Sequence, residues 1–295
     1  MKLVSPVLES IEGAVARSRT LLDGVPQDAR MFARVGKELP GIEADPVFII
    51  PGLTADRWMY GPGTRMLRDE GFEVGGMQMP WHGWSGIPSD ARKMREAVER
   101  TIDDAQRAGR DVDRVQIVGD SEGGLIGRWF LQFEGGQDLV SRYVSNGTPH
   151  GAIRPFGSDA VSSAVQRMPF MPAGVRDLLT SSSVMRDLNA DLPAYLQRAH
   201  AADPDFRMHA IASRLFGQVR HDGLVPEHAA RLPGAEPMVT NYVTSGTHSI
   251  NFSRGRRHAE GTEIMLAALG SRDPQAVLAA ERGRDVARAA AAVQP

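Results

Sequence analysis

The sequence contains no cysteine, and this absence removes several kinds of site at once. Without thiols there are no disulfides, no thiolate metal centres and no cysteine nucleophile. The histidines and carboxylates show no metal-ligand spacing, so neither a metal nor another cofactor is expected. Lysine is also scarce, and arginine supplies nearly all the cations. We interpret that bias as genomic composition rather than as function.

The chain also lacks a strong net charge and a long apolar run. Its formal net charge is −2, so neither nucleic acid nor an anionic membrane is expected as a partner. No apolar run reaches membrane-spanning length, so stable membrane insertion is not expected. Glu9 and Glu12 interrupt the region where a signal peptide would be apolar. We therefore expect a cytoplasmic protein, or a secreted one if an export signal has been removed. The sequence carries no signal for oligomeric state.

Apolar segments alternate with helical patterns over the first half of the chain. With 295 residues and 42% hydrophobic content, the protein can bury a substantial core. Ser89 is predicted to cap a helix that runs to about Ala108. An alternating order of strands and helices predicts an α/β fold with a parallel sheet covered by helices on both faces. Strands are predicted near 46–50, 72–79, 114–118, 139–145, 208–216 and 238–244.

The alternation breaks after residue 151, where a long stretch contains no convincing strand. An insertion of this length is unlike a bare loop and indicates a small helical cap. We therefore predict a helical extension at 1–45, a core at 46–151 and 207–270, a cap at 152–206 and a helical tail at 271–295.

The stretch Gly119-Asp120-Ser121-Glu122-Gly123 follows an apolar strand pattern and precedes a helical one. Strand, sharp turn and helix together form the context in which Gly-x-Ser-x-Gly acts as a nucleophile elbow. The simpler interpretation is a glycine-rich turn between a strand and a helix. Asp120 and Glu122 are unusual neighbours, because negative charge beside a developing oxyanion would oppose catalysis unless the carboxylates are paired or point away.

Four blocks of sequence together resemble the bacterial lipase/esterase branch of the α/β-hydrolases. The blocks are 49–53 (Ile-Ile-Pro-Gly-Leu), 119–123, 145–151 (Ser-Asn-Gly-Thr-Pro-His-Gly), and 222–226 (Asp-Gly-Leu-Val-Pro) with 246–248 (Gly-Thr-His). The stretch 183–190 also resembles a cap segment of actinobacterial triacylglycerol lipases. The resemblance implies a mostly parallel central sheet flanked by helices, with a small helical cap inserted after the sixth strand.

The same resemblance implies a role for each of five residues. The order serine, acid, histidine assigns Ser121 as nucleophile, Asp222 as the orienting acid and His248 as the base. The backbone N–H groups of Leu53 and Glu122 would form the oxyanion hole. An ordinary turn aspartate, loop histidine or strand-end turn is the simpler interpretation of Asp222, His248 and Leu53.

Further residues are candidates for binding substrate. Met168, Phe170 and Met171 would bind an acyl chain or form the core of the cap, and His150 would line the pocket rim or belong to a turn. His82 is interpreted as structural. Arg254, Arg256 and Arg257 would attract an anionic head group or form a solvated charged face.

The expected function is a serine carboxylester hydrolase that cleaves apolar acyl esters of a small molecule or a lipid through an acyl-enzyme. One alternative is an acyltransferase or thioesterase with the same triad. The other is a hydrolase-fold binding protein whose acidic elbow has abolished catalysis.

Overall fold

The central sheet consists of six strands in the part of the chain that the structure describes. That part of the computed structural model comprises residues 44–53, 55, 57–76, 84–168, 170–234, 237–248 and 260–270. The strands are β1 (Val47–Ile50), β2 (Val74–Gly76), β3 (Val115–Asp120), β4 (Val140–Asn146), β5 (Arg207–Arg214) and β6 (Val239–Ser245). Their order in the sheet is β2-β1-β3-β4-β5-β6, and every described pair is parallel. The predicted parallel α/β sheet is confirmed.

Helices cover both faces of this sheet. The longer ones are α1 (Gly61–Asp69), α2 (Ile87–Arg107), α3 (Glu122–Phe133), α4 (Asp159–Gln166), α6 (Ser183–Ala202) and α8 (Glu260–Leu269). Two shorter ones are α5 (Ala173–Asp177) and α7 (Glu227–Ala230).

Alternate side chains of β1 show how the two faces are divided. Phe48 and Ile50 pack with apolar side chains of α2, α3 and α6, whereas Val47 and Ile49 pack with those of α1 and α8. Successive residues of a strand point to opposite faces, so an almost continuous apolar run is what a strand buried on both faces needs.

The start of α2 differs from the sequence-based expectation. The helix begins at Ile87 rather than at Ser89, and its N-cap is Gly86 with φ 82°. The Ile87 N–H donates to the carboxylate of Asp177 at 2.9 Å. Because Asp177 lies 90 residues further along the chain, this capping contact could not be inferred from the local sequence, although Pro88 in the first turn is a local helix-start signal.

Helices α4, α5 and α6 lie within the stretch that was predicted to be a cap. This stretch follows the fourth described strand rather than the sixth, because the chain reaches it after β1–β4, and β5 and β6 come later. Residues 1–43 and 271–295, which include nearly all of the predicted extension and all of the predicted tail, lie outside the described residues.

Parallel strands place their carboxyl ends at one edge of the sheet, and ligands of open α/β sheets bind there. The segments that follow β3, β4, β5 and β6 begin with Ser121, Gly147, Leu215 and Gly246 respectively. The candidate residues of four separate loops are therefore brought to one edge.

Candidate active site

The turn between β3 and α3 holds Ser121 in a strained backbone conformation. Ser121 lies between Asp120 and Glu122 and has φ 53° and ψ −122°. Such a conformation costs about 1–3 kcal/mol and persists only where the surroundings impose it. A Cβ on Gly123 would lie 2.2 Å from the carbonyl oxygen of Ile50, so only glycine fits there. The turn has the strand–turn–helix form that a nucleophile elbow requires.

His248 connects Ser121 to Asp222 through two hydrogen bonds. The Ser121 Oγ lies 2.9 Å from His248 Nε2, and His248 Nδ1 lies 2.7 Å from Asp222 Oδ2. An ionised carboxylate can only accept, so Nδ1 carries the proton and Nε2 is left to accept one from the serine. The arrangement has the directionality of a nucleophile, a base and an orienting acid.

Backbone groups hold the carboxylate of Asp222 in place. Its Oδ1 accepts hydrogen bonds from the N–H groups of Leu224 and Val225 at 2.9 Å and 2.7 Å. Its own carbonyl oxygen accepts from the His248 N–H at 2.9 Å. The side chain is buried, and Oδ2 is directed to the imidazole. Both oxygens therefore have defined partners, which fixes the orientation of the ring.

The charges around His248 favour its protonated form. Burial lowers the pKa of the imidazole, but the hydrogen bond to Asp222 and the charges of Asp222 and Asp120 raise it more, and the net pKa lies above its usual value. An imidazole with this shift would hold a proton taken from a neighbouring hydroxyl more firmly.

Two glycines let neighbouring loops approach these side chains closely. A Cβ on Gly147, which has φ 58°, would lie 3.1 Å from both Asp222 Oδ2 and His248 Nδ1. A Cβ on Gly52 would lie 3.0 Å from the Cβ of Ser121, so the turn that contains Leu53 lies against the serine. The structure thus brings together Ser121, His248, Asp222 and the start of the segment after β1.

Asp120 is fully paired, although it precedes the serine directly. Its Oδ2 accepts from the Tyr60 hydroxyl at 2.5 Å, and its Oδ1 accepts from the Asn146 side-chain amide at 2.8 Å. The Tyr60 hydroxyl in turn accepts from the Gly52 N–H at 3.2 Å. Burial, followed by the charge of Asp120, raises the pKa of Tyr60 well above its ordinary value, so this hydroxyl stays protonated and donates. We call Asn146, Asp120, Tyr60 and Gly52 the elbow network.

Glu122 avoids the expected repulsion in a different way. Its side chain is buried at the first position of α3. Burial, with smaller contributions from Asp90 and Asp177, raises the pKa of Glu122 to about 8. The side chain is therefore mostly uncharged at neutral pH, so the residue that follows Ser121 in the chain adds little negative charge.

His150 lies in the interior, where it contacts buried polar groups. The residue is 0% exposed. Its Nε2 lies 2.9 Å from the Ser145 hydroxyl, and its Nδ1 lies 3.4 Å from the Arg128 guanidinium. Arg128 also donates to the carbonyl oxygen of Leu188 on α6 at 2.9 Å. In this structure His150 connects the sheet to α3 and α6 and does not lie at a surface rim.

The other candidate side chains differ widely in their placement. Phe170 is 92% exposed, whereas Met168 and Met171 are half-buried. His82, Arg254, Arg256 and Arg257 lie outside the described residues. In the described ranges no group of three or more histidines and carboxylates could hold a metal ion. None of the described helices is long and apolar enough to cross a membrane.

Sequence reasoning missed Tyr60 as a residue of the site. Tyr60 ends a short 3-10 helix, Arg57–Tyr60, and lies 60 positions before its partner Asp120. No local pattern indicates such a contact. Asn146 and Gly147 were part of a recognised block, but their roles become visible only when the strand ends are brought together.

No protein-family model matches the sequence, and no curated protein sequence matches it. Solved structures do match, and together with the topology they define the fold class: the chain has the α/β-hydrolase fold.

Three of these similar structures illustrate the match. The mature Bacillus licheniformis lipase BlEst2 has a TM-score of 0.56 and 16% identity, over 75% of this chain and 91% of that one. Phospholipase PlaB from Legionella pneumophila, in complex with thio-NAD, has a TM-score of 0.58 and 16% identity, over 81% of this chain and 61% of that one. A soluble variant of monoglyceride lipase from Saccharomyces cerevisiae has a TM-score of 0.53 and 13% identity, over 77% of this chain and 85% of that one. At these identities the similarity concerns the fold.

Proposed function

We propose that the protein is a serine hydrolase that cleaves carboxylic esters with an apolar acyl group. One observation carries the proposal: Ser121, on a strained elbow, is joined through His248 to Asp222 by hydrogen bonds of 2.9 Å and 2.7 Å. An ordinary polar turn would not require a strained serine backbone. It would also not require a buried carboxylate hydrogen-bonded to the histidine.

In the proposed reaction, His248 Nε2 takes the proton of Ser121 as the serine Oγ attacks the carbonyl carbon of the ester. The carbonyl π electrons move to its oxygen and form a tetrahedral intermediate. The imidazolium then gives the proton to the leaving alkoxide, and an acyl-serine remains. Water repeats the sequence, with His248 again as base, and releases the carboxylic acid. Asp222 keeps Nδ1 protonated and stabilises the imidazolium.

The oxyanion would be bound by the backbone N–H groups of Leu53 and Glu122. The N-terminus of α3 carries partial positive charge, which favours an anion at this position. Tyr60 is a positioning residue in this scheme, because its hydroxyl accepts from the Gly52 N–H and is itself held by Asp120. The elbow network thereby fixes the turn from which the Leu53 N–H would point.

The two carboxylates beside Ser121 are compatible with catalysis. Asp120 accepts two hydrogen bonds, and its charge favours the imidazolium form of His248. Burial raises the pKa of Glu122 to about 8, so Glu122 carries little charge at neutral pH. This removes the main argument for a catalytically inactive binding protein.

The substrate class is supported by the similar structures, which are two lipases and a phospholipase. Half-buried Met168 and Met171 and exposed Phe170 on the predicted cap would contact the acyl chain. The narrower resemblance to actinobacterial triacylglycerol lipases stays a prediction, as does the choice of water over another acyl acceptor. Product analysis with competing alcohols or thiols separates hydrolysis from acyl transfer.

The proposal is tested by p-nitrophenyl ester hydrolysis with two serine variants. Ser121→Ala is expected to reduce kcat/KM by at least about 10⁴-fold, because the nucleophile is lost. Ser141→Ala is the matched control, since Ser141 lies on β4 and its hydroxyl donates to the carbonyl oxygen of Val115 at 3.5 Å, at the opposite edge of the sheet from Ser121. Circular dichroism checks that both variants fold. Full activity of Ser121→Ala would refute the assignment.

A further inference from the structure

The segment between β5 and α7 exposes three large apolar side chains close to one another in sequence. Phe216 is 88% exposed, Leu224 67% and Val219 41%. Leu224 lies on the turn whose N–H groups hold Asp222, so the segment that exposes these side chains also carries the proposed acid. We call residues 214–231 the acid loop.

The acid loop is an ordered structure. The Leu215 N–H donates to the carbonyl oxygen of His221 at 2.9 Å, and the Val219 N–H donates to that of Leu215 at 3.0 Å. Phe216 has φ 53°, a conformation that a bulky residue rarely adopts. Internal hydrogen bonds therefore hold Phe216 outward in a strained conformation, and its side chain gains almost no burial in return.

Cationic side chains lie beside these apolar ones. Arg214, Arg220 and Arg231 all approach the single buried carboxylate of Glu227, at 2.7 Å, 3.5 Å and 2.9 Å. The hydrogen bond from Arg214 and the other arginine contacts lower the pKa of Glu227 to about 2, so it stays ionised. Within residues 214–231 three arginines stand against two carboxylates, Asp222 and Glu227, which leaves a formal excess of one positive charge. The Arg220 side chain is 79% exposed. The local charge thus differs from the net charge of −2 for the whole chain.

Exposed apolar side chains at a loop tip with arginines beside them match the chemistry of an anionic lipid surface. Apolar side chains enter the boundary between head groups and acyl chains, while arginines attract anionic head groups. A protein partner is a poorer match, because the centres of protein interfaces are depleted of charge and a stable interface needs more area than one short loop tip supplies.

We propose that the acid loop binds the surface of an anionic lipid bilayer or micelle, with Phe216 and Leu224 inserted and Arg220 on the head groups. The binding itself is independent of catalysis. Its consequence, that the loop places the triad beside lipid esters, rests on the proposed function.

The test is sedimentation of the full chain with vesicles of phosphatidylcholine alone or with about one third phosphatidylglycerol. The Ser121→Ala protein is used, so that no lipid is hydrolysed and a failure of catalysis cannot affect the result. We expect binding to the anionic vesicles, at least about fivefold weaker binding to the neutral ones, and weakening by salt.

Matched variants assign this binding to the acid loop. Phe216→Ser is expected to weaken binding at least about fivefold, whereas Phe133→Ser should not, since Phe133 is an exposed aromatic at the far end of α3. Arg220→Glu should remove most of the preference for anionic vesicles, whereas Arg100→Glu, the same charge change on α2, should not.

Three outcomes would overturn the proposal. They are absence of vesicle binding, equal vesicle binding of the Ser121→Ala protein with and without Phe216→Ser, and a dimer in analytical ultracentrifugation that Phe216→Ser abolishes. The last result would identify the acid loop as a contact between two copies of the chain. Hydrolysis of a soluble short-chain ester by the Phe216→Ser enzyme should remain unchanged in every case.

Discussion

Two histidines that follow strands of the same sheet, His150 after β4 and His248 after β6, have opposite environments. His248 faces the carboxylate of Asp222 and the hydroxyl of Ser121, and the resulting pKa lies above its usual value. His150 is completely buried and faces the cation Arg128, and both burial and that charge lower its pKa well below the usual value. The first can accept and hold a proton, whereas the second stays neutral.

The difference shows that the charged group beside each histidine, rather than its position after a strand, determines whether the imidazole can accept a proton. Both residues were candidates for the site on sequence grounds. The carboxylate behind His248 is 26 residues away and the guanidinium beside His150 is 22 residues away, on elements that only the fold brings close. Variants of the two regions should therefore separate into losses of activity and losses of stability.

The largest effect is expected for the glutamine variants of the two histidines. His248→Gln removes the proposed base and should lower kcat/KM for a p-nitrophenyl ester by roughly 10⁴-fold while the protein stays folded. His150→Gln should leave kcat/KM within about threefold, because His150 touches no reacting group. Comparable losses in both variants would show that the two sites are not separate.

The same His150→Gln variant should be less stable. Gln cannot satisfy both the Ser145 hydroxyl and the Arg128 guanidinium in the geometry of an imidazole, so a buried polar group loses its partner. We expect the free energy of unfolding to fall by about 1–3 kcal/mol in urea denaturation. An unchanged midpoint would mean that these buried hydrogen bonds contribute nothing.

Tyr60→Phe should reduce activity by an intermediate amount. The variant keeps the ring but removes the hydroxyl that joins Gly52 to Asp120. We expect kcat to fall about tenfold with little change in KM, because the support for the oxyanion turn matters mainly in the transition state. Tyr195→Phe is the control, since the hydroxyl of this buried tyrosine on α6 makes no hydrogen bond among the described residues.

The pH dependence of kcat/KM provides a finer test. His248 must be neutral to act as a base, so activity should fall as the pH decreases through its pKa, which the hydrogen bond to Asp222 and the charges of Asp222 and Asp120 hold above the usual value for histidine. Asp222→Asn removes the main cause of that shift and should move this acid limb to lower pH, besides lowering the rate. An unmoved limb would contradict the assignment of Asp222 as the partner.

The smallest effect is expected at alkaline pH. The pKa of Glu122 is about 8, so above this pH a carboxylate forms at the start of α3, on the residue whose N–H is proposed to bind the oxyanion. The wild type should lose about half of its activity or more between pH 8 and pH 9, and Glu122→Gln should not. The same dependence of activity on pH in both proteins would mean that the charge on Glu122 does not affect the transition state.

The sequence predicts strands from short segments rich in apolar and β-branched residues, such as β1 and β3, that lie between turn-forming residues. β3 and β4 begin and end within two residues of their predicted positions. Contacts between residues far apart in sequence could not be predicted in this way. Asp177, rather than Ser89, determines where α2 begins, and Tyr60 joins the site through a contact across 60 residues.

The candidate triad residues could be assigned from a sequence resemblance, because they lie in short blocks at strand ends. The buried contacts and charges around them, which determine their chemistry, could not be predicted from the sequence. Whether Asp120 and Glu122 oppose catalysis depends on burial and on partners from other elements, and these follow only from the packed structure. His150 illustrates the same limit, since a turn histidine in sequence becomes a buried link in the fold.

The central claim is that Ser121 is a nucleophile activated by His248, and covalent trapping tests it most directly. A fluorophosphonate probe should add one adduct to the native protein, located at Ser121 by peptide mass spectrometry, and His248→Gln should slow labelling by at least about a hundredfold. A folded protein that stays unlabelled, or that is labelled at another serine, would contradict the account.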